Sequence, residues 1–180
     1  MRGEADAEKV RRLLAEISRR ARGPGAVYLT GGATAALFGW RARTVDVDLK
    51  LDPEPPGVFE AIAALKQELD VNVELASPDQ FIPALPDWRE QSRPIDAPGP
   101  VRFFHYDLRG QALAKIERSH ARDLEDVRAM LRAELVTPDE LRRAFETIQP
   151  GLVRYPALDA RAFRARFDDF LRAWTAENAP

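Results

Sequence analysis

Two adjacent glycines, Gly31 and Gly32, stand between an apolar run and a segment of helix formers, and they constrain the fold more than any other feature. Residues 26–30 are rich in strand formers, whereas residues 33–38 favour a helix. Glycine tolerates positive φ values and leaves the backbone open to close approach. The sequence therefore predicts a strand that turns sharply into a short helix. Such a turn either meets a backbone constraint alone or presents backbone N–H groups to a phosphate.

Apolar and charged residues alternate over residues 45–50, which is the period of a β-strand. Asp46 and Asp48 are therefore expected to project from one face of this strand. Two carboxylates at this spacing can bind the same divalent ion, and ligation by oxygen favours Mg²⁺ or Mn²⁺. A solvated, charged strand face would show the same pattern, so the spacing alone leaves both interpretations open.

The rest of the chain predicts an α+β fold, with a small mixed β-sheet, flanking helices and a helical C-terminal half. Strands are predicted at residues 26–30, 45–50, 71–75 and 101–106, and helices at residues 6–21, at 59–69 and over most of 107–180. The proline-rich residues 77–100 are expected to form an irregular surface segment. We expect an α/β core with an N-terminal helix over residues 1–106. The helical portion, residues 107–180, is expected to pack on that core as one compact unit.

Composition excludes several classes of protein. A length of 180 residues with 45% hydrophobic side chains suffices for a folded core. The absence of cysteine excludes disulfides, thiolate metal sites and cysteine nucleophiles. A net charge of −2 gives no general attraction to nucleic acid or to an anionic membrane. Because no apolar segment has the length of a membrane span or the pattern of a signal peptide, we expect a cytoplasmic protein without membrane contact.

A second group of charged residues lies in the helical half. Lys115, Arg118 and Asp126 share one stripe if a single helix continues through Ser119. Ser119 could instead cap a new helix, which would weaken the stripe. In the continuous helix, His120 would belong to the neighbouring apolar stripe and lie at the edge of the core. An ordinary surface network of ion pairs is the other interpretation of the charged residues.

The order Gly31-Gly32, then Arg43-Thr44, then Asp46-x-Asp48 resembles the nucleotidyltransferase superfamily typified by DNA polymerase β-like folds. In that superfamily a third strand supplies a third carboxylate, and Glu74 is the matching residue, although the usual residue is aspartate. The stretch LAKIERSHARDLEDVRAML resembles toxin-associated nucleotidyltransferases of the AbiEii and MenT types. The resemblance covers about residues 26–132.

The resemblance implies a role for each of these residues. Asp46, Asp48 and Glu74 would be catalytic and would hold Mg²⁺ or Mn²⁺. The residues implied to bind the nucleoside triphosphate are Gly31, Gly32, Thr34, Arg43, Lys115, Arg118 and Asp126. Among these, Lys115 and Arg118 would bind the β- and γ-phosphates. Asp126, with Asp123, would orient these two cationic side chains.

The activity implied is transfer of a nucleoside monophosphate from an NTP to a hydroxyl acceptor. The acceptor would be a tRNA 3′ end, a protein or a small molecule, and the protein would be the toxin partner of a cognate antitoxin. One alternative is a catalytically inactive nucleotidyltransferase-like domain that binds a nucleotide or a partner. Another is an interaction module that uses the aromatic residues of the last helix, Phe163, Phe167, Phe170 and Trp174.

Overall fold

A five-stranded mixed sheet organises the N-terminal half in the computed structural model, which describes residues 3–179. The strands are β1 (Gly25–Thr30), β2 (Asp46–Leu51), β3 (Asn72–Glu74), β4 (Arg93–Ile95) and β5 (Val101–His105). Their order across the sheet is β3-β2-β1-β5-β4. The central strand β1 runs antiparallel to β2 and parallel to β5, while β2 pairs in parallel with β3.

The helices account for most of the remaining chain. They are α1 (Ala7–Arg20), α2 (Gly31–Phe38), α3 (Val58–Glu68), α4 (Trp88–Gln91), α5 (Leu108–Arg118), α6 (Ala121–Arg132), α7 (Pro138–Ile148) and α8 (Ala160–Glu177). Several begin where the sequence supplies a cap: Asp6 accepts a hydrogen bond from the Lys9 backbone N–H, and Thr137 forms a capping box with Glu140. The α+β fold class with a small mixed sheet is confirmed.

The described residues fall into two compact units. The first comprises the chain up to Ser77 together with Ser92–Tyr106, and the second comprises Pro78–Gln91 together with the chain from Asp107 onward. One border between these units lies between Tyr106 and Asp107, and the predicted organisation of the chain as one compact unit stays a prediction. The segment Pro78–Gln91, which the sequence placed with the core, belongs to the second unit.

The expectation that residues 77–100 are irregular throughout was wrong. This stretch contains a 3₁₀ turn at Pro78–Gln80, the short helix α4 and the strand β4. Strand β4 lies at the edge of the sheet and pairs only with β5 among the described strands. An edge strand tolerates the missing N–H of Pro94, so a proline in the sequence did not exclude a strand here.

In the first unit, helices α1 and α3 pack on one face of the sheet. The buried residues of this core include Leu13, Ile17, Leu29, Val47, Leu49, Leu65 and Phe103. Because side chains alternate along a strand, Asp46 and Asp48 project from the opposite face. The core therefore decides which face of β2 presents the carboxylates.

In the second unit, the aromatic residues of α8 pack within the unit itself. Phe145 meets Phe163 edge to face at 5.0 Å between ring centroids and stacks on Phe167 at 4.5 Å. Phe163, Phe167 and Phe170 are buried, and Trp174 is partly buried. These contacts favour a core role for the aromatics over the interaction surface considered from the sequence.

His105 at the end of β5 is buried under α2. Its Nδ1 lies 3.2 Å from the Thr34 hydroxyl, which itself donates to the Leu29 carbonyl, and its ring lies 4.4 Å from that of Phe38. Burial, with the nearby charge of Arg93, lowers the pKa of His105 to about 4. No local pattern of residues indicated this role of His105. The sequence favoured instead a core-edge position for His120, which is exposed.

This burial predicts a specific pH dependence of folding. Between pH 6.5 and pH 4 the unfolded chain protonates His105 and the folded chain does not. The contribution of His105 to the unfolding free energy is therefore complete above pH 6.5 and is lost as the pH falls toward 4. We expect His105→Gln to remove about 3 kcal/mol of the pH dependence of the unfolding free energy over this range. Urea unfolding at pH 7, 5.5 and 4 measures it, with His120→Gln as the control at the exposed histidine. An unchanged pH dependence in His105→Gln would contradict the assignment.

Candidate functional site

The turn from β1 into α2 places the backbone of Gly31, which carries no side chain, against the Asp48 carboxylate. Gly31 opens α2 with φ +58°, and a Cβ built on it would lie 2.8 Å from Asp48 Oδ2. A Cβ on Gly32 would overlap the Thr44 hydroxyl and lie 2.8 Å from Thr44 Cβ. The positive φ and the nearby Asp48 carboxylate thus require glycine at position 31, and the close approach of Thr44 requires glycine at position 32. The strand, turn and short helix predicted from the sequence are confirmed.

Asp46 and Asp48 lie on the same face of β2, as the alternation predicted. Both are partly buried, whereas the intervening Val47 is completely buried in the core. The start of the strand is held by Thr44, whose hydroxyl donates to the Asp46 carbonyl at 2.8 Å. Thr44 also exchanges two backbone hydrogen bonds with Ala5. Hydrogen bonds of Thr44 to Asp46 and to Ala5 therefore hold the backbone segment that carries the Asp46 carboxylate.

Strand β3 places a side-chain amide next to these carboxylates. In the parallel pairing of β2 with β3, Asp46 is opposite Asn72 and Asp48 is opposite Glu74. Asn72 Nδ2 donates to Asp46 Oδ1 at 2.6 Å and to Glu74 Oε1 at 3.0 Å. The sequence interpretation missed Asn72, although it has the same two-residue spacing from Glu74 that singled out Asp46 and Asp48.

Asp46, Asp48 and Glu74 do not form a three-residue metal site in the structure. Among residues 3–179, no three side chains of His, Cys, Asp or Glu are placed so that they could hold a metal ion together. Asp46 and Asp48 still fit Mg²⁺, because this ion is commonly held by one or two carboxylates and completed by water and substrate phosphates. Participation of Glu74, whose side chain is exposed and bonded to Asn72, stays a prediction.

The structure separates the other nucleotide-binding candidates of the first unit. Thr34 is completely buried, and its hydroxyl bonds with Leu29 and His105 lie inside the fold. Arg43 is exposed and lies 3.8 Å from the Glu4 carboxylate. Arg41 is closer to the glycine turn, since its Nη1 would lie 3.5 Å from a Cβ on Gly32. Sequence spacing could not choose between the two arginines, because both precede the strand in a loop without fixed periodicity.

In the second unit, a tight helical hairpin buries a lysine between two aspartates. The helix does not continue through Ser119: α5 ends at Arg118, and Ser119 has φ +57° as the C-terminal cap of α5. Lys115 Nζ nevertheless lies 3.0 Å from Asp123 Oδ1 and 2.6 Å from Asp126 Oδ2. The reversal of the chain, and not a shared stripe, brings these residues together.

The charges of this cluster, defined as Lys115, Arg118, Asp123 and Asp126, are mutually compensated. Lys115 is 4% exposed, whereas Arg118 is exposed and lies 2.9 Å from Asp123 Oδ1. Burial raises the pKa of Asp123, but the cations of Lys115 and Arg118 outweigh burial and hold that pKa below its usual value. These contacts give Lys115 a structural role in the unit. The predicted nucleotide contacts of Lys115, Arg118 and Asp126 stay predictions.

Comparison with known families decides the superfamily. A family model described as "Nucleotidyltransferase of unknown function (DUF6036)" matches residues 8–175. The chain belongs to this family. The match supports the nucleotidyltransferase superfamily indicated by Gly31-Gly32 and Asp46-x-Asp48, and it does not extend to the AbiEii or MenT types. Searches of curated proteins and of solved structures found no match. Within residues 3–179, no helix has the length and apolar character needed to span a membrane.

The glycine turn predicts a coupled pair of substitutions. We expect Gly32→Ala to lower the unfolding free energy by about 1–3 kcal/mol, because the new methyl group overlaps the Thr44 hydroxyl. In a Thr44→Gly background the same change should cost less than half as much, since the hydroxyl that it overlaps and the Cβ atom 2.8 Å away are both gone. Urea unfolding of the two single variants and the double variant measures the coupling. Additive losses would contradict the close approach.

The buried cluster predicts an asymmetry between its two cations. Lys115→Met should lower the unfolding free energy by about 3–5 kcal/mol at pH 7, because it removes the buried cation between Asp123 and Asp126 and leaves Asp123 its contact with the exposed Arg118. Arg118→Met, at an exposed side chain, should cost no more than about 1 kcal/mol. The deficit of Lys115→Met should shrink as the pH falls toward 4, where protonation neutralises the two carboxylates. Chemical unfolding measures both variants, and equal losses would contradict this account.

Proposed function

We propose that the protein transfers a nucleoside monophosphate from an NTP to a hydroxyl acceptor, with Asp46 and Asp48 holding Mg²⁺ or Mn²⁺. One observation carries the proposal: the Asp48 carboxylate lies against Gly31 at the turn from β1 to α2, on the same strand face as Asp46. A metal-binding carboxylate and a phosphate-binding turn must be adjacent for nucleotidyl transfer. Membership of a nucleotidyltransferase family supports this interpretation of the adjacency.

In the first unit, the two aspartates would bind the metal ion, and the start of α2 with Arg41 would bind the phosphates. Mg²⁺ bound by Asp46 and Asp48 would supply neutralisation of the charge on the transferred phosphoryl group. The hydroxyl of Thr30 donates to the Ala76 carbonyl at 3.3 Å and does not cap α2. The positive end of the α2 dipole would favour a phosphate bound beside the turn. Arg41, beside Gly32, would add a planar cation suited to phosphate oxygens.

The acceptor that we propose is an RNA 3′ end or a protein hydroxyl, as the sequence resemblance implies. A toxin role with a cognate antitoxin belongs to the same proposal. The support is the resemblance of the LAKIERSHARDLEDVRAML stretch to toxin-associated nucleotidyltransferases. Neither the glycine turn nor the pair of aspartates selects the acceptor, because both act on the donor nucleotide.

A second candidate function is nucleotide binding without turnover. It is favoured by one observation, namely that the described residues form no metal-holding group of three carboxylate or imidazole side chains. Such a protein would keep the glycine turn and the aspartate pair for binding but lack the third group needed to activate an acceptor.

The activity test uses purified protein with Mg²⁺ and each α-³²P-labelled NTP in turn, with total RNA or lysate protein as acceptor. Wild type should transfer label, and Asp46→Asn/Asp48→Asn should lower the rate at least about 100-fold, because it removes the carboxylate charge with little change in shape. Glu60→Gln, at an exposed carboxylate on α3, is the matched control. Chelation of the metal with EDTA should abolish transfer.

The outcomes separate the candidates. Label on RNA or on protein would identify both the nucleotide and the acceptor class. Transfer that persists in Asp46→Asn/Asp48→Asn would contradict the assignment of the two aspartates. Metal-dependent nucleotide binding without transfer for any NTP would favour the second candidate.

A further inference from the structure

A neutral amide stands where a third carboxylate would face the proposed metal site. Asn72 occupies the position on β3 directly opposite Asp46, while Glu74 is opposite Asp48 and exposed. Residues opposite one another on paired strands lie closest together on a sheet face, so Asn72 is the nearest β3 side chain to Asp46. Its hydrogen bond to Asp46 Oδ1, at 2.6 Å, confirms this proximity.

The hydrogen bonds of Asn72 join two carboxylates without neutralising either one. Nδ2 donates to Asp46 Oδ1 and, at 3.0 Å, to Glu74 Oε1. A lysine or arginine at this place would cancel a negative charge, and an apolar residue would leave the carboxylates to repel each other and rotate. An amide orients the Asp46 carboxylate while its full charge stays available to a cation.

The amide also limits how much negative charge the site offers. With Asn72 in the position nearest to Asp46, the proposed site has two aspartates on one face of β2, and residues 3–179 contain no group of three carboxylate or imidazole side chains that could hold a metal ion. Mg²⁺ gives up its bound water reluctantly, and two carboxylates displace little of that water. Such a site binds Mg²⁺ or Mn²⁺ well only when phosphate oxygens complete the coordination.

We propose that Asn72 is a positioning residue that orients Asp46 and makes divalent-metal binding depend on the triphosphate of the nucleotide. This inference rests on the proposed function, since it assigns the metal to Asp46 and Asp48. The nucleotide and the ion then bind together, and the free protein holds the ion weakly. Replacing the amide with a carboxylate would supply the missing negative charge and uncouple metal binding from the nucleotide.

The experiment measures Mn²⁺ binding by the loss of the electron paramagnetic resonance signal of the free ion. Each protein is titrated with Mn²⁺ alone and with an equimolar mixture of the four α,β-methylene NTP analogues, which cannot be turned over. The variants are Asn72→Asp, which adds a carboxylate, and Asn72→Leu, which removes the donor and keeps a similar size. Gln67→Glu, an exposed change from amide to carboxylate on α3, is the control for added charge. Circular dichroism and thermal unfolding check the fold of each protein.

Wild type should bind Mn²⁺ at least tenfold more tightly with the analogues than without them. Asn72→Asp should bind Mn²⁺ alone at least tenfold more tightly than wild type, and Asn72→Leu should lose about tenfold in the presence of the analogues. Gln67→Glu should match wild type in both titrations. A purely structural role of Asn72 would change thermal stability without this opposite behaviour of the two variants.

Three results would overturn the inference. One is equal Mn²⁺ affinity of wild type with and without the analogues, which needs no variant to be folded. The others are an Asn72→Asp protein that binds Mn²⁺ like Gln67→Glu, and an Asn72→Leu protein that binds Mn²⁺ like wild type. The metal site itself fails, and the proposed function with it, if wild type and Asp46→Asn/Asp48→Asn cannot be distinguished in the presence of the analogues.

Discussion

The close approach of the glycine turn to strand β2 is the constraint on which the first unit depends. Gly31 and Gly32 let the start of α2 lie against the Asp48 carboxylate and the Thr44 side chain, where any larger residue would collide. The same contact places the start of α2 against β2, and it brings the proposed metal ligand next to the proposed phosphate site. Packing and chemistry therefore share one pair of residues, so a change at either glycine affects both.

Charge is treated differently in the two units. In the second unit, Lys115 is enclosed by Asp123 and Asp126, so the buried charges compensate each other and tie α5 to α6. On the sheet of the first unit, Asp46 is held by the neutral amide of Asn72 and keeps its charge. A compensated cluster stabilises a fold over one pH range, whereas a carboxylate oriented by a neutral amide can still bind an external cation.

Local patterns predicted the elements but not every connection between them. The period-two alternation around Asp46 and Asp48 gave β2 and its polar face, because a strand must turn alternate side chains to the core. The helical period around Lys115 and Asp126 left open whether one helix continues through Ser119. The structure shows that it does not, since Ser119, with a positive φ, ends α5 and a new helix begins at Ala121. Backbone reversals of this kind depend on one dihedral angle, which a hydrophobic period does not report.

The sequence by itself determined the α+β class, the turn at Gly31-Gly32 and the common face of Asp46 and Asp48, because each follows from local spacing and the shape of single residues. Only the tertiary structure decided that Asn72 bridges Asp46 to the third strand, and that Arg41 is the arginine beside the turn. Both facts depend on which strands pair, in what register and where a loop folds back. These are properties of contacts between distant segments, and no short stretch of sequence encodes them.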